Sequence, residues 1–600
     1  MSVAPAIGTG PVLLDAHAAV SCPVKTRHAF DPGAEAMSRP PDPAAAGRAT
    51  ARRRFVSSVL DTWARARPDA ADLRTGAELV TEAAWGSGLD PADHAAATLR
   101  AMAAGAPVIL GGRLPGDPAG HRTGSPHALV RGEDRADGRP GYHPVLVEWH
   151  KITVPRARPG DRPDADAPAG VRWSGLGRPE PAAGVEHTDL GLRLASREAD
   201  FLRLAHHHRL LQAAGFGAEP YGAVIGTDRL LDEPVLVWAD LDAPVLRTAD
   251  PADPRGWRAV SALQRYTEEL DLRLAVAEAA RAGDRDSPAW LRPVVVEECA
   301  TCPWWPRCRD ELDPDDLGWR IERGRLDRVE IGALRERGIE TVAQLAAAPV
   351  EDLLAGHLRR TGHRPDAELR LRRAARRAGM LRAGRMIERE TEGPIEVPGA
   401  DLEIDFDVES AVDGRIYLWG FAVTDRRGGD PDPAYVQFSR FTELDRSGEL
   451  ELAAEALGWL RDLAESAPSV LVYHYSGYEV AMIDALAAQA VDHALAGGAD
   501  HAPILTWAAG YALESFVDLL PLVQAHFFGA SGLGLKLVAG HTGFRWRDAD
   551  PGGLNSQNWF HQAVHAASAA EREGACRRVL AYNEDDVLAT AAVRAWLRAQ

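Results

Sequence analysis

The sequence predicts an α/β protein built from several domains. Three observations support this prediction: a length of 600 residues, strand-like segments followed by a helix-like segment in the first half, and a strictly alternating segment just after residue 400. At about 150 residues per domain, such a chain is too long for a single compact domain. We therefore expect three parts, at residues 1–320, 321–395 and 396–600.

The composition is that of a soluble globular protein with excess negative charge. Sixty-eight Lys and Arg residues stand against 87 Asp and Glu residues, which gives a formal charge of −19. Because such a field repels polyanions, nucleic acid can be bound only by local groups. No run of 18 apolar residues is present, and the first 22 residues lack the basic segment of an export signal. We expect a cytoplasmic protein that does not contact membranes.

The first part, 1–320, is predicted to be an α/β domain. The segments 125–132 (SPHALVRG) and 142–154 (YHPVLVEWHKITV) are rich in β-forming residues, and 199–215 (ADFLRLAHHHRLLQAAG) has a helical pattern. Residues 30–55 and 155–185 are rich in Pro, Gly and Ala, which indicates loops or insertions.

The second part, 321–395, is predicted to be a small helical module. Residues 333–354 (ALRERGIETVAQLAAAPVEDLL) have the pattern of a helix-hairpin-helix with a glycine turn. Eleven arginines follow between Arg359 and Arg389. We expect the turn amides and these arginines to contact a phosphate backbone, with a solvated arginine-rich helix as the alternative.

Three cysteines within ten residues indicate a metal or cluster site. Cys299, Cys302 and Cys308 have the spacing C-x2-C-x5-C, and three thiolates require a fourth ligand. Cys22 is the candidate, because Cys576 lies in a helix-like segment where a small buried residue is expected. Thiolate ligation suits zinc and iron–sulfur almost equally, so the spacing leaves both open.

The third part, 396–600, begins with a strand that carries four carboxylates on one face. Residues 401–410 (DLEIDFDVES) place Glu403, Asp405, Asp407 and Glu409 opposite an apolar face. Like charges in such a row need a cation, and a divalent metal is expected to supply it. A solvated face of an amphipathic strand is the alternative. Further carboxylates follow at Glu479 and Asp586, and Tyr582 precedes Asp586 by one helical turn.

The layout of residues 15–310 resembles RecB-like nucleases, in which one early cysteine and a late C-x2-C-x5-C triplet hold a 4Fe–4S cluster. The resemblance implies this cofactor for Cys22, Cys299, Cys302 and Cys308. The family's catalytic residues are not all matched, since His127 replaces an Asp and Lys151 lies one residue late.

We therefore expect this half to be degenerate as a nuclease. Glu148, His150 and Lys151 form either a rebuilt metal site or a strand with exposed polar residues, and the segment Arg203-Leu204-Ala205-His206-His207 also departs from the family. The triplet at 206–208 (HHH) is expected on a solvated or partly packed helix, because consecutive residues point about 100° apart.

Residues 400–600 resemble the DEDD-type 3′–5′ exonucleases of ribonuclease-H-like fold, and more closely the YprB-type domain found with RecB-like putative nucleases. The matching segments are 401–410 (DLEIDFDVES), 414–423 (GRIYLWGFAV), 473–479 (YHYSGYE) and 582–590 (YNEDDVLAT). The resemblance implies that Asp407, Glu409, Glu479 and Asp586 ligate two Mg2+ or Mn2+ ions and that Tyr582 orients the attacking water.

Three further residues bear on the site that this resemblance implies. Glu479 stands where most such enzymes carry Asp, and its longer arm shifts the carboxylate. Asp518 and Lys536 are candidates for supporting or phosphate contacts, with a structural ion pair as the alternative.

Together these features predict a metal-dependent nuclease with 3′–5′ exonuclease activity in its C-terminal domain. The expected partner is nucleic acid, DNA or RNA, bound by a single-stranded end; protein partners are not predicted. The competing hypothesis is a non-catalytic nucleic-acid-binding scaffold whose two nuclease sites have decayed.

Overall fold

A computed structural model gives the fold of the chain. It describes residues 10–34, 43–74, 79–81, 84–85, 90–155, 171–181, 185–187, 192–195, 197–228, 234–250, 252–253, 256–283, 291–364, 366–428, 432–548 and 553–600. The chain divides into two compact units, Met1–Arg320 with Leu326–Arg373, and Ile321–Arg325 with Ala374–Gln600. The three-part division at 320 and 395 stays a prediction.

The first unit combines helices with a mixed sheet. Its helices are α1 (Pro23–Phe30), α2 (Pro43–Ala66), α3 (Pro91–Ala103), α4 (Glu198–Ala213), α5 (Ala262–Arg281), α6 (Trp305–Asp310), α7 (Leu317–Arg320), α8 (Arg328–Arg335), α9 (Val342–Ala347), α10 (Val350–Thr361) and α11 (Ala367–Arg382), which continues into the second unit. Its strands are β1 (Ala71–Asp72), β2 (Leu79–Thr81), β3 (Ala84–Trp85), β4 (Val108–Leu110), β5 (Leu114–Asp117), β6 (Arg122–Gly124), β7 (Ala128–Arg131), β8 (Tyr142–Val147), β9 (Thr153–Pro155), β10 (Val171–Gly175), β11 (Val185–His187), β12 (Leu192–Leu194), β13 (Tyr221–Ile225), β14 (Val235–Asp240), β15 (Leu246–Ala249) and β16 (Trp257–Val260).

Eight of these strands form one sheet in the order β1-β4-β7-β8-β13-β14-β10-β11. Strands β8 and β13 run parallel, whereas β7 pairs with β8 in the antiparallel sense. Helix α4 packs on β8 and β13, and its apolar residues join the sheet and α5 in one core. The strand predicted over 142–154 is shorter in the structure, where β8 ends at Val147.

The predicted helical module contains α8, α9 and α10. Helix α8 begins at a capping box in which Asp327 and Glu330 satisfy each other's backbone amides. The turn after α8 contains Gly338 at φ +75°, a left-handed conformation that favours glycine. The assignment of this module as a helix-hairpin-helix stays a prediction.

The second unit is built on a five-stranded sheet. Its strands are β17 (Ile387–Arg389), β18 (Leu402–Ser410), β19 (Ile416–Asp425), β20 (Ala434–Ser439), β21 (Val470–His474), β22 (Phe516–Asp518) and β23 (Phe527–Gly529). Its helices after α11 are α12 (Arg446–Ala464), α13 (Tyr478–Leu495), α14 (Ala502–Ser515), α15 (Leu519–His526), α16 (Leu535–Thr542), α17 (Gly553–His565) and α18 (Ala569–Arg598).

The sheet has the order β20-β19-β18-β21-β22, which puts β18 at its centre. Strand β18 pairs antiparallel with β19 and parallel with β21. The alternation predicted for β18 is present: Leu402, Ile404, Phe406 and Val408 enter the core under α12 and α13, and α18 packs against the same strand. Among the described residues, no helix is both long enough and apolar enough to span a membrane.

Candidate active site

The central strand β18 carries two pairs of carboxylates with different surroundings. The upstream pair, Glu403 and Asp405, is buried against Arg594 of α18, whose Nη2 lies 2.6 Å from Asp405 Oδ2. Arg594 also contacts Glu403, which Arg598 approaches at 2.7 Å. The expectation that a metal balances all four carboxylates is therefore wrong for this pair, because arginine supplies the positive charge.

The downstream pair, Asp407 and Glu409, meets Asp586 of α18. One ligand oxygen from each of the three lies within 4.8 Å of the others, so the group could hold a metal ion. Glu409 and Asp586 are buried, and Asp407 is partly buried. Carboxylate oxygens are the ligands that Mg2+ and Mn2+ prefer, and the donor set therefore fits the predicted ions.

The electrostatics of this group also favour a cation. Desolvation, together with the charges of Glu409, Asp586 and Glu479, raises the pKa of Asp407 well above its usual value. Burial and Asp586 raise the pKa of Glu409 to about 8, partly countered by Ser556 and Lys536. Simultaneous ionisation of all three carboxylates is energetically unfavourable because they are close together and largely desolvated. A bound divalent cation would stabilise their ionised forms.

A hydrogen-bond donor contacts each of the three carboxylates. Asn583 Nδ2 donates to Asp407 Oδ2 at 2.8 Å, and Trp546 Nε1 donates to Asp586 Oδ1 at 2.7 Å. Ser556 of α17 donates to Glu409 Oε2. Sequence reasoning did not identify these donors. Asn583 lies inside the segment 582–590, but nothing local to Trp546 or Ser556 indicates such a contact.

Tyr582 and Lys536 lie next to the carboxylates. Lys536 Nζ donates to Tyr582 Oη at 3.1 Å, and the Tyr582 hydroxyl also bonds Asp586. Burial and the neighbouring carboxylates raise the pKa of Tyr582, which keeps the hydroxyl protonated. Asp518, proposed above as a supporting residue, caps α15 by accepting from the Leu520 amide at 2.9 Å, and its supporting role stays a prediction.

Glu479 is buried at the start of α13 but lies outside the group of three. Its Oε2 accepts from Ser476 Oγ at 3.2 Å and lies 3.5 Å from His474 Nδ1. Ser476 adopts φ +147°, an unfavourable conformation for a residue other than glycine. The Glu479 charge also contributes to the raised pKa of Asp407.

In the first unit, the four predicted cysteines line one cavity. Cys22, at the start of α1, faces Cys299, Cys302 and Cys308 together with His28 and Glu298. Burial raises the pKa of Cys299 to about 11 and that of Cys308 to about 12. Cys576 lies in α18 of the second unit and is half-buried rather than buried.

The spacing of these sulfurs bears on the choice of metal. Tetrahedral zinc with bonds of about 2.3 Å requires sulfurs about 3.8 Å apart. Among the described residues, no three of the cysteine sulfurs lie within 4.8 Å of one another. This spacing does not decide between zinc and an iron–sulfur cluster.

Residues of the first unit that the resemblance to RecB-like nucleases singled out form ion pairs and hydrogen bonds. Glu148 lies just beyond β8, is buried, and accepts from Arg203 Nη1 at 2.6 Å and from Arg52 Nη2 at 2.8 Å. His127 Nδ1 accepts from the Val147 amide at 3.0 Å, and His150 contacts Asp200 at 2.8 Å. The alternative of a strand with exposed polar residues is wrong for Glu148; Lys151 is exposed.

Of two further sequence expectations, one needs correction and the other stays a prediction. His206, His207 and His208 are fully buried, because α4 is covered by the sheet on one side and by α5 on the other. In the arginine-rich stretch, the residues with carboxylate partners are Arg360, Arg364, Arg370, Arg372, Arg376 and Arg385. These ion pairs offset part of the charge of the predicted cationic path, and its contact with a phosphate backbone stays a prediction.

Comparison with known proteins identifies the C-terminal region alone. Residues 404–598 match the model of the RNase H superfamily. No curated protein and no solved structure gives a significant match to the chain. The match confirms the ribonuclease-H-like part of the prediction and indicates nuclease-type hydrolysis of phosphodiesters, whereas the RecB-like part stays a prediction.

Proposed function

We propose that this chain is a metal-dependent nuclease that removes nucleotides from the 3′ end of a single nucleic-acid strand, and that its second unit performs the chemistry. One observation carries the proposal: Asp407, Glu409 and Asp586 lie within 4.8 Å of one another inside the RNase H-like region. Crowded carboxylates destabilise a fold unless a cation balances them, so a metal-binding role explains their placement together on β18 and α18 better than a structural one.

In this proposal Asp407, Glu409, Glu479 and Asp586 hold two Mg2+ or Mn2+ ions. Two such ions lower the pKa of a bound water and stabilise the attacking and leaving oxygens of a phosphodiester. Glu479 is included because it lies in the first turn of α13, which follows β21, and β21 pairs in parallel with β18, so both strands end at the same edge of the sheet.

The remaining roles belong to side chains beside the carboxylates. The protonated hydroxyl of Tyr582, bonded to Asp586, orients the attacking water. Lys536, 3.1 Å from that hydroxyl, places a positive charge where a phosphate oxygen would lie.

In the first unit we propose that Cys22, Cys299, Cys302 and Cys308 hold a 4Fe–4S cluster. A four-iron cluster is larger than a single ion, and its ligands lie farther apart than those of zinc. The position of all four cysteines around one cavity, as the resemblance to RecB-like nucleases implies, supports this assignment.

We further propose that the first unit binds nucleic acid without cutting it. The carboxylate of Glu148 already has two arginine partners, Arg52 and Arg203, which occupy the side of the carboxylate that a metal needs. This unit would then contribute affinity while the second unit hydrolyses the strand.

The test is hydrolysis of single-stranded DNA and RNA oligonucleotides labelled at the 5′ end, in Mn2+ and in EDTA. The proposal expects a metal-dependent ladder of shortened products, abolished by Asp407→Asn and retained in Glu584→Gln. Glu584 is the matched control, since it lies on α18 near Asp586 but pairs with Arg547 at 2.7 Å.

Two outcomes would contradict this proposal. Cleavage that survives Asp407→Asn would assign the chemistry to other residues. Binding of the strand with no cleavage in any metal would favour the non-catalytic scaffold.

A further inference from the structure

Asn583 fills a space that the sheet leaves open beside Asp407. In the register of β18 and β19, Asp407 lies directly opposite Gly420. A Cβ atom at Gly420 would overlap the side-chain oxygen of Asn583, which is fully buried. Glycine at 420 therefore lets the Asn583 amide of α18 reach the carboxylate on the neighbouring strand.

The orientation of this amide is set by a second hydrogen bond. Tyr435 of β20 donates its hydroxyl to Asn583 Oδ1 at 2.8 Å. The Asn583 Nδ2 group consequently faces Asp407, and it donates to Oδ2 at 2.8 Å. The flipped amide would bring two oxygens together at Asp407, which is unfavourable.

We propose that Asn583 is a positioning residue that holds the Asp407 carboxylate in its metal-binding orientation, with Tyr435 fixing the amide and Gly420 providing the space. This inference rests on the proposed metal centre. The hydrogen bond occupies one oxygen of Asp407 and limits rotation of the carboxylate, so its remaining lone pairs point in defined directions.

The test compares Asn583→Leu and Tyr435→Phe by titration of the metal-free protein with Mn2+, without nucleic acid. Leucine keeps the size and branching of asparagine but removes the donor. We expect Mn2+ affinity to fall about 10- to 100-fold in Asn583→Leu, the range seen when partners of metal ligands are removed. Tyr435→Phe should shift affinity in the same direction by less. At saturating Mn2+, KM for a labelled strand should stay unchanged while kcat falls.

Tyr511→Phe is the matched control, because its hydroxyl donates to the Val470 carbonyl, away from the carboxylates, at 3.2 Å. Unchanged Mn2+ affinity in Asn583→Leu, or an equal loss in Tyr511→Phe, would overturn the inference. If Asn583→Leu fails to fold, the inference is tested by Tyr435→Phe against Tyr511→Phe: a lower Mn2+ affinity in Tyr435→Phe alone supports it, and equal affinities overturn it.

The proposed nuclease activity and the positioning role of Asn583 can be refuted separately. Wild-type protein that binds Mn2+ but cuts no strand refutes the proposed function, while a weakened affinity in Asn583→Leu would still support the positioning role. Wild-type protein that binds no Mn2+ refutes both.

Discussion

Asp405 and Asp407 lie on the same face of β18, and the structure predicts opposite effects on stability when each becomes asparagine. Asp405 is fully buried against Arg594, so Asp405→Asn removes an attraction. Asp407 faces Glu409 and Asp586, so in metal-free protein Asp407→Asn removes a repulsion. Both substitutions keep the shape of the side chain.

The magnitudes follow from these contacts. Unit charges at the 4.8 Å limit of the group repel by about 3 kcal/mol at an effective dielectric constant of about 20. Protonation of some of the carboxylates reduces this repulsion. Asp407→Asn should therefore raise the free energy of unfolding of the metal-free protein by about 1–3 kcal/mol at pH 8. Breaking a buried ion pair costs about 3–5 kcal/mol, and since Glu403 still pairs with Arg594, Asp405→Asn should cost about 3 kcal/mol.

The increase in the free energy of unfolding caused by Asp407→Asn should depend on pH. The pKa of Glu409 is raised to about 8, and those of Asp407 and Asp586 are raised as well. A carboxyl whose pKa is higher in the folded than in the unfolded state stabilises the fold at low pH and loses that contribution as pH rises. The Asp407→Asn substitution removes this pH-dependent loss at position 407. The advantage of Asp407→Asn over wild type should therefore grow as pH rises from the usual pKa of an aspartate toward the raised pKa of Asp407.

Urea unfolding in EDTA at pH 6 and pH 8, repeated with Mn2+, measures these differences. Added Mn2+ should stabilise the wild type and leave Asp407→Asn nearly unchanged. The reasoning is refuted if Asp407→Asn destabilises the metal-free protein as much as Asp405→Asn does, or if Mn2+ stabilises both proteins equally.

Three further predictions concern the other assigned residues. Tyr582→Phe should slow hydrolysis by about 10²-fold with Mn2+ affinity retained, and an equal loss of metal binding would contradict its assigned role. Glu148→Gln should leave hydrolysis intact but lower the free energy of unfolding by about 3 kcal/mol, because buried Arg203 loses a partner; abolished hydrolysis would mean that the active half is wrongly assigned. Anaerobically purified protein should be brown and contain iron and sulfide, and Cys22→Ala should lose the cluster; stoichiometric zinc, or a full cluster in the variant, would exclude this assignment.

Local periodicity made part of the site predictable. Alternation in 401–410 places the four carboxylates of β18 on one face, and the four-residue spacing of Tyr582 and Asp586 places both on one side of α18. Backbone geometry determines these relations within a single element. They do not depend on the rest of the fold.

Partners distant in sequence could not be predicted. Whether a carboxylate of β18 meets arginine or other carboxylates depends on how α18 crosses the strand, which brings Arg594 to Asp405 and Asp586 to Asp407. Burial of the histidines at 206–208 likewise depends on α5, whose position no pattern within α4 reveals.

The central claim is that the carboxylates of β18, α13 and α18 form one metal centre. Anomalous diffraction from crystals of the full chain grown with Mn2+ tests it most directly. The account predicts two Mn2+ peaks about 4 Å apart, ligated by Asp407, Glu409, Glu479 and Asp586. Absence of Mn2+ from this group, or a Glu479 side chain turned away from a single bound ion, would contradict it.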